Sequence, residues 1–92
     1  MDKKEIGERL RKEGYESIRE LSDPANIEFP EHDHAGDHVL VVIKGSIEIA
    51  AEGKKILFKA GETFYSPAKI PHSAKIGPEG CEYIVGEKPA KS

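Results

Sequence analysis

The amino-acid sequence predicts an all-β domain, a sandwich or barrel of about eight short strands behind a short N-terminal helix. Three observations point there. From Tyr15 onward apolar and polar residues alternate with a period of two, the repeat that turns one face of a strand inward. Prolines and glycines from Pro24 to Gly80 cut this stretch into runs of strand length. Finally, 92 residues suffice for one hydrophobic core and leave nothing for a second.

The chain divides into an N-terminal helix over residues 1–14, a barrel over 15–87 and a loose C-terminal tail over 88–92. The helix is expected because Asp2 and Glu5 stand at capping-box spacing, Ile6 and Leu10 share a face, and Gly14 suits a left-handed stop. Its charged residues at i,i+4 spacing, such as Glu5/Arg9 and Arg9/Glu13, read as a solvated face. The expected strands are 15–21, 26–29, 38–44, 46–51, 54–58, 63–66, 72–76 and 82–86. Glu52-Gly53 should form a hairpin turn, and Gly77-Pro78-Glu79-Gly80 has the proline and glycine positions of a type I turn.

The run from His38 to Lys44 is apolar on both faces: Leu40 and Val42 on one, Val39, Val41 and Ile43 on the other. If the first set fills the interior, the second needs cover. We therefore expect a homodimer that buries Val39, Val41 and Ile43.

Composition removes several function classes. With Lys+Arg 14 against Asp+Glu 17 and a net charge of −3, the basic footprint of a nucleic-acid binder or of a polybasic membrane anchor is missing. No apolar run approaches the roughly 20 residues that span a bilayer. The single cysteine, Cys81, excludes an intrachain disulfide and a multi-cysteine zinc cage and reads as a small core residue. The residues after Met1 are charged, not those of a secretory leader, so a cytoplasmic location is expected.

The chemistry concentrates in the 4 histidines, His32, His34, His38 and His72. In extended backbone His32 and His34 leave the same face roughly 7 Å apart. The short link Ala35-Gly36-Asp37 can fold back to bring His38 beside them, and Pro71 rigidifies the approach to His72. Imidazole is the commonest protein ligand for zinc, nickel, iron(II) and copper, so we expect a divalent transition metal held by these rings. All-nitrogen ligation disfavours magnesium and calcium. The interior beside the metal, lined by Leu40, Val42, Ile47, Ile49, Phe58, Phe64 and Tyr83, is the expected small-molecule pocket.

At these residues the sequence resembles the cupin superfamily, specifically its small single-domain metal-binding members with a conserved, jelly-roll-like β-barrel. The first cupin motif is matched by His32-Asp33-His34, His38 and Gly45, and the second by Gly61, Pro67 and His72. The departures are His38 at the motif's glutamate, Asn26 and Lys69 at two of its glycines, and Ile76 at its asparagine. Four neutral imidazoles would leave a divalent ion its full charge, where the family's carboxylate removes one unit. The resemblance implies either of two functions. One is a metal-dependent enzyme acting on a small anionic molecule, a dioxygenase with iron(II) or an isomerase or hydrolase with zinc or nickel. The other is a non-enzymatic cupin that binds metal or a small ligand.

Overall fold

The computed structural model describes residues 2–90. Among the described residues one helix, α1 (Lys3–Lys12), precedes six strands: β1 (Glu16–Asp23), β2 (Glu28–His32), β3 (His38–Ala51), β4 (Lys54–Lys59), β5 (Thr63–Ser66) and β6 (His72–Glu87). Asp2 caps α1 by accepting from the backbone N–H groups of Lys4 and Glu5, and Gly14 takes φ 96 just past the end. The Glu52-Gly53 hairpin has φ of 51 and 78, positive at both central positions as the mirror-image turn requires.

Six strands replace the expected eight because two predicted breaks are continuous strand. β3 runs through Gly45, and β6 runs through Gly77–Gly80, which does not reverse the chain. β3 and β6 pair antiparallel from His38 opposite Glu87 to Ala51 opposite His72. Near the middle Gly45 faces Cys81 while Ile47 faces Ile76, so Gly77–Gly80 all bulge opposite Ser46. Gly45 has φ 80, and a Cβ there would lie 2.0 Å from the Gly80 carbonyl oxygen. Only glycine permits this crossing.

The bulge divides one antiparallel sheet into two four-stranded halves. In the first, β1 and β5 flank the paired 81–87 and 38–45 segments. In the second, β2 and β4 flank the paired 72–76 and 47–51 segments. The pairing does not close into a ring among the described residues, so the architecture is a jelly-roll-like open sheet.

Two apolar clusters hold it together. The interior one joins both halves: Val42, Ile47, Ile49, Ile76, Cys81 and Tyr83, with Leu40, Phe58 and Phe64 packed against them. The second lies under α1, where Ile6, Leu10 and Tyr15 cover Val39, Val41 and Ile84, with Ile43 against them. Val39 is 1% exposed and Val41 2%. Val39 and Val41 of the stripe expected to seek a second copy are thus covered within the chain. Two helical apolar residues were enough, because Tyr15 joins them. No helix among the described residues is long and apolar enough to cross a membrane.

Candidate metal centre

His32 ends β2, His38 begins β3 and His72 begins β6, with His34 in the β2–β3 loop. The two strand starts lie at opposite ends of the β3–β6 ladder, which if straight would hold them about 43 Å apart. The two halves fold over one another at the Gly45 bulge, and the ends meet. His34 has its ring centroid 3.6 Å from that of His38 and 5.2 Å from that of His72, and His32 lies 4.9 Å from His34 and 4.4 Å from His72.

His32, His34 and His72 each bring a ring nitrogen to within 4.8 Å of the others. The orientation of two of these rings suits ligation. His32 donates from Nδ1 to the Pro30 carbonyl at 2.8 Å, and His72 donates from Nδ1 to the Ile70 carbonyl at 3.2 Å, with Ser66 Oγ at 3.4 Å. A histidine whose Nδ1 carries the proton presents an unprotonated Nε2, the arrangement that metal-bound histidines commonly have. Ring nitrogens converging from β2, the β2–β3 loop and β6 form a donor set suited to a divalent transition ion.

Burial favours the neutral form of two of the four rings, His34 and His38. Partial burial, and then the neighbouring His38, His32 and His72, lower the His34 pKa to about 4 against an opposing pull from Glu87. Burial also lowers that of His38, opposed by Glu87. His38 stands apart from the trio: its ring stacks on His34 at an interplanar angle of 12°, and its Nε2 faces Glu87 Oε2 at 3.0 Å.

The loop carrying His34 is fastened on three sides. Lys69 N–H donates to the His34 carbonyl at 2.7 Å, Ala68 N–H to Asp37 Oδ1 at 2.8 Å, and Lys88 N–H to the Asp37 carbonyl at 2.8 Å. A Cβ on Gly36 would lie 2.0 Å from the Lys88 carbonyl oxygen. The segment 88–90, expected to be loose, therefore packs on this loop, with Lys88 Nζ 4.7 Å from the Tyr15 ring centre. Lys91 and Ser92 lie outside the described residues. Where the family motifs have glycine, Asn26 and Lys69 take φ of 66 and 65, so the left-handed backbone survives without the glycine.

The seven expected pocket residues all belong to the interior cluster, with Leu40, Phe58 and Phe64 only partly buried. Of the seven, Phe64 borders the histidines, its ring 5.8 Å from His72. Tyr83 donates its hydroxyl to Asp23, and burial followed by that bond pushes its pKa up. The open space beside the centre is a different cavity of about 400 Å³, walled by His34, His38, Glu87, Glu16, Ser17 and the 88–90 segment. Glu87 and Asp37 were missed by sequence reasoning. An aspartate after Ala-Gly is a turn signal that could have marked Asp37, whereas Glu87 acquires meaning only through its pairing with His38.

The sequence profile of the cupin domain matches residues 19–86. The chain belongs to the cupin family. A cupin-2 domain protein from Shewanella frigidimarina is 27% identical with a TM-score of 0.69, over 83% of this chain and 72% of that one. A conserved Streptococcus pyogenes protein of unknown function is 28% identical with a TM-score of 0.69, over 80% of this cupin and 65% of its own length. A variant of Bacillus subtilis oxalate decarboxylase, at 19% identity and TM-score 0.70, shares the fold over 79% of this chain and 21% of its own. A search of the curated proteins returns no match.

Proposed function

We propose that this cupin holds one divalent transition metal through His32, His34 and His72 and binds a small molecule beside it. The observation that carries the reading is the convergence of three ring nitrogens within 4.8 Å, two of them on rings oriented by backbone carbonyls. Three protein ligands leave at least one coordination position open, as in catalytic sites, where a structural four-ligand cage would have none. A bound ion would supply Lewis acidity and attachment points for a chelating anion such as an enolate, diketonate or hydroxy acid. The cavity of about 400 Å³ gives such a molecule access, with Ser17 able to donate to it and Glu16 and Glu87 able only to accept from a hydroxyl it carries. Zinc or nickel would suit isomerase or hydrolytic chemistry, and iron(II) a dioxygenase.

A second reading is binding without turnover, favoured because Glu87, a carboxylate of that cavity, is engaged by His38 and not free to act as a general base. Elemental analysis and X-ray absorption on protein purified without chelator test the metal site. Near-stoichiometric metal is expected in the parent and in Cys81→Ser, and little in His34→Ala or His72→Ala. Full occupancy in both histidine variants would overturn the assignment. Turnover of chelating anions by the loaded protein then separates the two readings.

A further inference from the structure

His32 and His72 are each oriented by a backbone carbonyl on Nδ1. His34 is different. Among the described residues no side-chain hydrogen bond holds its ring, and its support is the face of His38, parallel to within 12° at 3.6 Å. His38 is in turn fastened by Glu87 Oε2, 3.0 Å from its Nε2. The carboxylate comes from the last residue of β6, placed there because Glu87 is the register partner of His38.

This stacking bears on ligation. A metal–imidazole bond lies in the ring plane, along the nitrogen lone pair, at about 2.1 Å. Two nearly parallel rings that overlap face to face send their lone pairs into separate planes. An ion in the plane of His34 is then displaced by more than a bond length from the plane of His38. The Nε2 of His38 is engaged by the Glu87 carboxylate, so only its Nδ1 is free, and that atom lies in the displaced plane. With His34 in the ligand trio, the stacked His38 is left out of it.

We propose that the Glu87–His38 pair is a positioning device of the metal centre, a clamp that fixes the His34 ring, and that His38 is not the fourth ligand. The inference rests on the three-histidine reading above. It assigns the motif's departure a role: where the family has a ligating glutamate, this chain has a ring that supports a neighbouring ligand, and a carboxylate on another strand fastens that ring. Partners that orient a ligand typically change metal affinity 10- to 100-fold, far less than loss of the ligand itself.

The test uses the zinc-loaded full chain, with imidazole number from X-ray absorption and affinity from chelator competition. The parent should show three imidazoles. His38→Phe, which keeps a stacking ring but can neither ligate nor hold Glu87, should still show three and lose no more zinc affinity than Glu87→Ala, while His38→Ala and Glu87→Ala weaken binding about tenfold. Combining the two alanine changes should add little, because both remove the same clamp. Four imidazoles in the parent, falling to three in His38→Phe, would overturn the proposal. So would an unchanged zinc affinity in Glu87→Ala, whatever its effect on the stability of the metal-free protein. Failure of the underlying site is seen separately, as undiminished zinc binding in His32→Ala.

Discussion

The protonation of single side chains gives this protein a pH dependence that can be worked out in sign. Burial and neighbouring imidazoles depress the His34 pKa to about 4, well below the unfolded value near 6.5. The unfolded chain therefore takes up this proton first as pH falls. In metal-free protein the stability tied to neutral His34 is present above pH about 6.5 and is lost as pH drops through about 4. Urea midpoints of chelator-treated protein should fall across that window, and His34→Gln should fall less over the same range; equal slopes would refute the assignment. Cys81 behaves oppositely. Burial, then Asp23 and Glu82, push its thiol up to about 11, so it stays protonated and unreactive at pH 8. Iodoacetamide should label the native protein far more slowly than the urea-unfolded chain, and comparable rates would show the thiol to be accessible.

At the scale of elements, α1 works mainly as a lid over the apolar outer face of β3. Leu10 is fully buried beneath it, against Val39 and Val41. Leu10→Ala should lower unfolding free energy by about 2–5 kcal/mol, measured by urea denaturation followed by circular dichroism, and should leave zinc affinity unchanged because Leu10 packs on Val39 and Val41, the face of β3 opposite that of His38. The Gly45 bulge works differently, because it sets where the sheet folds over. Adding a methyl at φ 80, 2.0 Å from the Gly80 oxygen, must displace one strand from the other. Gly45→Ala should therefore lower stability and zinc affinity together, and a variant that lost only stability would separate the bulge from the site.

For the whole molecule, the ligands come from segments that only the folded chain brings together. A metal that binds the folded state and not the unfolded one stabilises it by about 2.7 kcal/mol at a free concentration 100 times its Kd. For a domain of this size that corresponds to a rise in Tm of about 10 °C or more. Thermal unfolding with and without zinc should show the rise in the parent and not in His34→Ala; an equal rise in both would place the zinc elsewhere.

Sequence alone determined the all-β class, the capped helix, the Glu52-Gly53 hairpin and the clustering of the four histidines, because each rests on local signals: period, turn residues and closely spaced donor side chains. It also located the interior set, since alternation along a strand follows from the backbone. Tertiary structure decided the rest. Gly45 and Gly77–Gly80 read locally as breaks, yet their strands continue, because two bulged segments opposite each other bend a ladder without ending it. Val39 and Val41 read as a sticky stripe, and a helix more than 20 residues upstream covers them. For His38, spacing reports which rings can approach and not which way their planes face. Its stacking on His34 and its contact with Glu87 arise only once β3 lies in register beside β6, a pairing 49 residues apart in sequence that no local pattern encodes.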